Sequence, residues 1–440
     1  MKSRSKPAYK LPPRNSKQQP TRQDATLKLS SRARWSLADQ VLVSGANFLI
    51  GVLLIRSLGL EMYGVYSLVL IAIQFLAGIQ VAAILSPMMS LFDQRGATSI
   101  ETYLSAVLIH QVVLAIAVIT CCLILALLPN GIVPSLPIDL AVAAALVITT
   151  QFQDLTRRFF YVTDRPVLAI LSDLTAHGGR LAIIAWLAYS GTLSMPLVWM
   201  VIIGCSALSL AFVAPDLTRA RFIRQDIAVI TNKHKAMAGW MIGNTVLAWF
   251  SESGFVLLIV GAVLGPVEVG AARAIQNLIL VVNLMIQSLE NFVPSAAAKH
   301  LVNGGPAALR NYVGQISALG AGGIFIVTIF VMALNDQITQ LVYNQSFPHQ
   351  FLMLAIFGVF YAMGHVLAVV FAGLRALQFL QSAFWTQLFI GVGSLIATWF
   401  VASEWGVIGA LFALLAARTL MTGQLSYLFW SKTSLATPKS

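Results

Sequence analysis

Long apolar segments recur along the whole chain. A helix of roughly 20 apolar residues crosses the ~30 Å hydrocarbon layer of a membrane. The strands of a membrane barrel instead alternate apolar and polar positions over about ten residues, so this pattern predicts helices. The predicted membrane spans cover 36–58, 63–90, 103–128, 138–153, 167–189, 195–214, 238–262, 270–293, 312–334, 350–372, 380–401 and 406–430.

The composition agrees with these spans, since 58% of the residues are hydrophobic and 10% are charged, with a mean hydropathy of +0.82. Soluble domains carry about 25% charged residues, so a water-soluble protein of this size is excluded. We therefore predict an all-α polytopic membrane protein with about 12 transmembrane helices. The three cysteines lie within predicted spans, and we interpret them as packing residues rather than as a disulfide framework or metal site: Cys121, Cys122 and Cys205.

Lys and Arg residues fall in alternate loops between the predicted spans. The opposite loops carry only acidic charges, namely Glu61, Asp139, Glu268, Asp336 and Glu404. Because Lys and Arg side chains resist translocation, basic loops stay in the cytoplasm. The alternation therefore predicts an even number of spans and two cytoplasmic termini.

The segment before the first span is the most basic part of the chain. Residues 1–35 hold ten Lys and Arg residues against the single acid Asp24, so most of the net charge of +12 lies there. This tail is rich in Ser, Gln and Pro and has no apolar face, which predicts disorder. It either sets the orientation of the protein or also binds anionic lipid headgroups, and it does not indicate a nucleic-acid partner.

One glycine-marked corner occurs twice in the sequence. Gly59 and Gly64 follow the first span, and Gly265 and Gly270 follow the seventh, each pair preceded by a leucine and enclosing an acidic residue. This repeat indicates two duplicated halves. The predicted organisation is a basic tail (1–35), an N-terminal six-helix lobe (36–214), a cytoplasmic inter-lobe loop (215–237), a C-terminal six-helix lobe (238–430) and a short cytoplasmic tail (431–440).

The loops between the predicted spans are too short for a folded soluble domain. The chain has no Gly-x-x-x-x-Gly-Lys-Ser/Thr phosphate loop, so a transporter coupled to ATP hydrolysis would need a separate ATPase. Polymerases and ligases of lipid-linked sugars resemble one another in carrying a large outer loop, whereas the outer loops at 129–137 and 335–349 are short. We therefore expect no catalytic residues, no metal and no cofactor.

Four arginines and four acids lie within the predicted spans. Each costs about 2.5 kcal/mol or more at a lipid-facing midplane, so such residues face a cavity or a partner and are candidates for function. They are Arg56, Arg180, Arg273, Arg418, Asp39, Asp173, Glu252 and Glu290. Asp39, Glu290 and Arg56 lie nearer the ends of their spans, where snorkelling to the interface is an alternative.

The eighth span carries a polar stripe along most of its length. Its members are separated mostly by three, four or seven residues, which places them on one side of a helix. They are Arg273, Gln276, Asn277, Asn283, Gln287, Glu290 and Asn291. A stripe of this length indicates the wall of a water-filled cavity, with hydrogen bonding between packed helices as the alternative.

The fifth span holds Asp173, His177 and Arg180 at i, i+4 and i+7. This spacing predicts contacts from Asp173 to His177 and from His177 to Arg180. Such a row is either a self-satisfied ladder or a substrate site or proton relay. In the seventh span Glu252 is nearly central, and it is our first candidate for an acid that binds a coupling proton or cation.

The start of the first span resembles a known family of membrane transporters. The residues that carry the resemblance are Leu37-Ala-Asp39-Gln40, Gly45-Ala-Asn47-Phe48, Arg56, Gly59 and Gly64. They are similar to the start of bacterial O-antigen and exopolysaccharide flippases of the multidrug/oligosaccharidyl-lipid/polysaccharide exporter superfamily. The resemblance implies a MATE-like fold of two pseudo-symmetric six-helix lobes, related by an axis along the membrane normal.

This resemblance implies that the protein flips a polyprenyl-diphosphate-linked oligosaccharide across the bacterial inner membrane during synthesis of surface polysaccharide. The transport would proceed by alternating access, driven by an ion gradient or the membrane potential. The expected partners are the lipid-linked oligosaccharide, membrane lipids and other membrane proteins of polysaccharide assembly.

The charged residues of the spans divide between two expected roles. Arginine forks bind phosphate oxygens bidentately, so the candidate substrate-binding residues are, in falling order, Arg180, Arg273, Arg56 and Arg418, joined by Gln276, Asn283 and Gln287. The candidate ion-coupling residues are Glu252, Asp173, His177, Glu290 and Asp39.

Two other functions compete with this one. A MATE-type exporter of drugs or metabolites would use acids to hold a cation, and four arginines within the spans argue against it. A membrane-embedded glycan polymerase or ligase is disfavoured by the short loops.

Overall fold

The computed structural model describes residues 22–95, 98–127 and 138–435, without the side chains of 22–38, 280–292, 380–383 and 435. The first part of the predicted tail, residues 1–21, lies outside the described residues. So do the side chains of three candidate residues of the polar stripe, Asn283, Gln287 and Glu290.

The described residues form α-helices with short π and 3-10 segments, and none of them forms a strand. This confirms the predicted all-α fold. The helices are α1 (Arg22–Gln80), α2 (Ser86–Leu91), α3 (Ile100–Leu127), α4 (Leu140–Val162), α5 (Pro166–Asp173), α6 (Gly179–Tyr189), α7 (Met195–Ser209), α8 (Ala214–Leu217), α9 (Arg224–Trp249), α10 (Ser253–Leu264), α11 (Pro266–Leu278), α12 (Leu280–Ala333), α13 (Asn335–Tyr343), α14 (Gln350–Ala376) and α15 (Leu380–Leu435).

Three of these helices are interrupted by a glycine with positive φ. Gly59 interrupts α1, Gly305 interrupts α12 and Gly406 interrupts α15, and each glycine lies between or at the edge of two predicted spans. The 56-residue apolar stretch Asp39–Gln94 would rise about 84 Å as one helix, which is too long for a single crossing. By length and hydropathy, seven described helices can cross a membrane, or eight with one bent pair, so the count of about twelve stays a prediction.

Two segments predicted to be loop or disordered are partly helical. The helix α1 begins at Arg22 and α9 begins at Arg224, inside the predicted tail and the predicted inter-lobe loop. Both segments contain Lys, Arg, Gln and Ala, which favour helix wherever an adjoining helix already supplies the first turn. The bounds of the tail and of the inter-lobe loop stay predictions.

The helix α9 connects the two halves of the chain, which we call the N-terminal half (α1 to α8) and the C-terminal half (α10 to α15). Ile230 of α9 is buried with Ile84, Leu85 and Tyr103 of the N-terminal half. The next helix, α10, packs against α11 and α15. Between α9 and α10 the chain bends by 54°, and the two helices also contact the opposite halves, α9 through α15 and α10 through α1.

The two glycine corners pack against each other. A Cβ atom on Gly64 would overlap the carbonyl of Pro266, and a Cβ atom on Gly270 would overlap the carbonyl of Leu60. Gly59 and Gly265 share one backbone conformation, with φ of 83° and 94° and ψ of 175° in both, which only glycine adopts freely. The repeat seen in the sequence is therefore also a reciprocal contact between the two halves.

The largest buried apolar cluster continues this contact into the protein. It takes Ile50, Leu54 and Val198 from the N-terminal half and Ile275 and Phe357 from the C-terminal half. Burial of such side chains contributes about 1.5–3 kcal/mol each. The halves are thus joined firmly at the end of the molecule where the corners meet.

Candidate functional site

A buried cluster of charges lies in the N-terminal half, where α1, α4 and α5 meet. Arg157 Nη1 lies 3.3 Å from Asp39 Oδ2 and 3.4 Å from Asp173 Oδ2, and Arg157 Nη2 lies 3.0 Å from Asp154 Oδ1. Asp39 and Asp173 are 3% and 0% exposed. One guanidinium thus neutralises part of the charge of three carboxylates. This pairing is needed because a buried charge without a partner of opposite charge is strongly destabilising.

Neutral hydrogen bonds complete this cluster. The Tyr161 hydroxyl donates to Asp39 Oδ2 over 3.0 Å, and the Gln153 amide donates to Asp173 Oδ1. Asp39 Oδ1 is buried and has no hydrogen-bond partner among the described residues. The cluster therefore has excess negative charge and one open acceptor, which suits a proton.

Arg180 and His177 do not belong to this cluster. Arg180 is 6% exposed, and its guanidinium donates to the Ala176 carbonyl over 2.7 Å and to Ser206 Oγ over 3.2 Å. His177 Nδ1 is buried without a hydrogen-bond partner among the described residues. The contacts predicted from Asp173 to His177 and from His177 to Arg180 are therefore wrong.

A π-helical segment, Leu174–Gly178, explains why that prediction failed. A π-turn closes its hydrogen bond one residue later than an α-turn, so residues four apart across it no longer share a face. Asp173 consequently faces α4, while Arg180 faces α7. The two residues have different partners and are available for different roles.

Arg273 lies on α11, where the two halves meet. Its guanidinium donates to Gln276 Oε1 over 2.8 Å, and the Gln276 amide donates to Ser253 Oγ over 2.8 Å and to the Tyr361 hydroxyl over 3.0 Å. Within the described part of the chain, neither Arg273 nor Arg180 forms an ion pair. Both are arginines whose positive charge the described carboxylates leave unpaired.

A cavity of about 460 Å³ lies in the C-terminal half. Glu252, Tyr361, His365, Arg375, Gln387 and Arg418 supply most of its polar groups. Arg418 Nη2 lies 3.2 Å from Glu252 Oε1. The structure thus pairs a candidate substrate-binding arginine with the first candidate coupling acid, a pairing that the sequence analysis missed.

Arg56 lies apart from these groups, at the end of the molecule where the corners meet. Its guanidinium donates to the carbonyl of Val342 over 2.8 Å and to that of Leu341, both in the last turn of α13. A cation near a helix C-terminus is stabilised by the free carbonyls and the helix dipole. Arg56 therefore joins the N-terminal half to the C-terminal half, and it faces neither the cavity nor the carboxylate cluster.

The sequence analysis missed Arg157 and Tyr161, because they were counted with a cytoplasmic loop that begins after residue 153. The helix α4 continues to Val162 and carries both side chains against Asp39. A signal for this extension was present: Asp154 pairs with Arg157 and Arg158 at i+3 and i+4, a spacing that stabilises helices. The described residues contain no group of three His, Cys, Asp or Glu side chains that could hold a metal ion.

Solved transporter structures share this architecture. The lipid II flippase MurJ in its inward closed conformation has a TM-score of 0.65 and 11% sequence identity, covering 92% of this chain and 90% of that one. The inward-facing conformation of a multidrug resistance MATE family transporter of the MOP superfamily has a TM-score of 0.62 and 12% identity, covering 94% and 99%. The chain has the fold of these MOP superfamily transporters. It is a multi-pass membrane protein.

The outward-facing conformation of a multidrug resistance MATE family transporter has a TM-score of 0.53 and 13% identity, covering 94% of each chain. No protein-family model matches the chain, and no curated protein matches its sequence.

Proposed function

We propose that this protein flips a polyprenyl-diphosphate-linked oligosaccharide from the inner to the outer leaflet of the bacterial inner membrane, during synthesis of a surface polysaccharide. The observation that carries the proposal is the set of arginines inside the bundle, above all Arg180 and Arg273. Their described partners are neutral, namely Ala176, Ser206 and Gln276.

An arginine held by neutral partners inside a membrane protein favours an anionic ligand. Removing a charge from water costs several kcal/mol, and a ligand of opposite charge offsets that cost. The planar guanidinium binds the oxygens of a phosphate in pairs. A diphosphate cannot cross hydrocarbon unaided, whereas a polyprenyl tail can stay in the bilayer beside the protein.

Coupling in this proposal takes place at the carboxylate cluster of the N-terminal half. Asp39, Asp173 and Asp154 share Arg157, and only Asp154 also pairs with Arg158, so binding of a proton there reduces the repulsion among the carboxylates. Glu252 belongs to the second candidate coupling position, at the cavity of the C-terminal half. His177 and Glu290 stay predictions, as do the other membrane proteins of polysaccharide assembly as partners.

Deleting the gene tests this function. The lipid-linked glycan should accumulate in the cytoplasmic leaflet, and surface glycan should be lost while its precursors are still made. Leaflet location is measured by adding a membrane-impermeant glycosidase or lectin to spheroplasts and to inverted vesicles. Normal surface glycan together with changed drug sensitivity would refute the proposal.

A MATE-type exporter is the second candidate function. The observation in its favour is Glu252, whose side chain is 50% exposed at a cavity that Phe360 and Tyr361 also line. A carboxylate with aromatic rings suits an organic cation. Loss of resistance to cationic dyes in the deletion strain would favour this function over flipping.

A further inference from the structure

The backbone at the bend between α9 and α10 is bound by a side chain from another helix. Residues 250–252 interrupt the helix, and Glu252 is extended, with φ of −95° and ψ of 148°. A break of this kind leaves backbone carbonyls without their intrahelical donors, so other groups must satisfy them. The carbonyl of Ser251 accepts a 3.0 Å hydrogen bond from Arg418 Nη2.

Arg418 reaches this bend from α15 and is fixed on several sides. The same Nη2 group pairs with Glu252 Oε1, and the guanidinium carbon lies 4.3 Å from the centre of the Phe360 ring. The residue is only 7% exposed, and its buried Nε has no hydrogen-bond partner among the described residues. Arg418 thus binds both the backbone and the side chain of the bend and still has an unused donor.

The other member of this ion pair is far more accessible. The Glu252 side chain is 50% exposed, and both residues line the cavity of about 460 Å³, a volume within the usual range of small-molecule sites. Arg375 and His365 line the same cavity. An anion that enters can therefore compete with Glu252 for the guanidinium, and it meets further basic groups there.

The two helices that meet at the bend each contact both halves. The helix α9 packs on the N-terminal half through Ile230, and its Trp240 stacks on Phe384 of α15. The helix α10 packs on α15 and α11 of the C-terminal half and on α1 of the N-terminal half. A change in the angle between α9 and α10 must therefore rearrange some of these contacts, so stabilising the bend stabilises the present packing.

We propose that Arg418 is the latch that keeps α9 and α10 bent, and that a diphosphate group entering the cavity releases it. The anion binds the guanidinium in place of the Ser251 carbonyl and the Glu252 carboxylate. The helix then straightens, because in a continuous helix the freed carbonyls accept hydrogen bonds from the backbone. The identity of the ligand as a lipid-linked diphosphate rests on the proposed function. The latch itself rests on the contacts of Arg418.

The angle can be measured by electron–electron distance spectroscopy on the full chain in nanodiscs. Spin labels at Lys233 and Ala262, both exposed, are introduced after Cys121, Cys122 and Cys205 have been replaced by Ser. Straightening the 54° bend lengthens this separation by about 4 Å, given a rise of 1.5 Å per residue. Inorganic diphosphate and a polyprenyl diphosphate are added separately, which distinguishes a free anion from a lipid headgroup.

Arg418→Gln should show the longer distance without any ligand, and wild type should reach it when the polyprenyl diphosphate is added. A response of wild type to inorganic diphosphate but not to the polyprenyl diphosphate would identify a free anion as the ligand. Arg418→Lys keeps the charge and serves where the Gln variant does not fold; it should weaken the short-distance population without abolishing it. Arg375→Gln is the matched control, since Arg375 lines the same cavity but packs over Phe371. It should keep the short distance in the absence of ligand.

The latch is wrong if the Arg418 variants keep the wild-type distance, or if saturating diphosphate leaves wild type unchanged. Flipping of lipid-linked oligosaccharide is measured for the same variants after reconstitution in proteoliposomes. Unchanged distances with intact flipping refute the latch alone. A distance that responds to diphosphate without any flipping supports the latch and refutes the proposed function.

Discussion

The buried arginines of the two halves have partners that differ in number and in exposure. In the N-terminal half, Arg157 is surrounded by three carboxylates, and two of these are at most 3% exposed. In the C-terminal half, Arg418 pairs with Glu252 alone, and that carboxylate is half exposed at a cavity. One arginine is enclosed by carboxylates of the protein, and the other has a partner that is accessible from a cavity.

A charged residue within a membrane span therefore has no single role. Both arginines are costly to bury, but only the one whose partner is accessible can act as a binding group. The duplicated glycine corners are alike in the two halves, whereas these charges are not. The following predictions test the contrast, beginning with the largest effect.

Arg180→Ala should abolish flipping while the protein still inserts in the membrane. Arg180 is buried and has only neutral described partners, so the variant removes the guanidinium that we propose binds phosphate without leaving a carboxylate unpaired. Flipping is measured in proteoliposomes, and insertion by membrane fractionation. The control is Arg165→Ala, which removes an arginine paired with Asp216 and should leave flipping near wild type; unchanged flipping by Arg180→Ala would remove that residue from the site.

Arg157→Ala should lower the free energy of unfolding by about 3–5 kcal/mol, because it leaves buried carboxylates without their cation. Arg158→Ala is the matched control on the next residue. Arg158 pairs only with Asp154, at the edge of the cluster, and should cost about 1 kcal/mol or less. Denaturant unfolding in detergent measures both, and equal losses would show that the cluster is not the enclosed unit described above.

Asp173→Ala and Glu252→Ala compare the two halves with the same chemical change. Asp173 is fully buried and accepts a hydrogen bond from the Gln153 amide, so its removal leaves a buried donor without an acceptor and should destabilise the protein by about 1–3 kcal/mol. Glu252 is half exposed, and its replacement should cost about 1 kcal/mol or less. Thermal unfolding of the purified variants provides the comparison. A larger loss for Glu252→Ala would reverse the contrast between an enclosed and an open site.

Arg56→Gln should have the smallest effect on stability, about 0.3–1 kcal/mol, because the exposed guanidinium interacts with carbonyls at a helix C-terminus. Spin labels on α1 and α13 should nevertheless show a broader distribution of distances, since this side chain links the two halves. If flipping were abolished instead, Arg56 would belong with the substrate-binding residues, as the sequence analysis ranked it.

Much of the fold could be predicted because local sequence controls it. The length of the apolar segments predicted the helices. The glycines of the corners predicted where α1 is interrupted and where α10 ends. The failures are also local in origin. One π-turn at Leu174–Gly178 rotated Arg180 away from Asp173, and apolar content alone ended α4 before Arg157. The π-turn has no sequence pattern that periodicity can detect, whereas the spacing of Asp154, Arg157 and Arg158 indicated the extension of α4.

The site could be predicted only as a set of candidates. Asp39, Asp173, Arg180, Arg273, Glu252 and Arg418 stand out because charge is rare in membrane spans, but the sequence does not state which residue meets which. Arg418 and Glu252 are 166 positions apart, and Arg157 and Asp39 are 118 apart. Such pairs form only when helices distant in the chain pack side by side.

The sequence by itself determined that this is a helical membrane protein built from two related halves, with glycine at the corners and arginines inside. It did so because hydrophobic length and backbone freedom are properties of single segments. The tertiary structure alone decided that Arg157 is enclosed, that Arg56 joins the halves, and that Arg418 fastens a bent helix beside a cavity. Those outcomes depend on helix packing, which brings a charge either to a buried partner or to an accessible one.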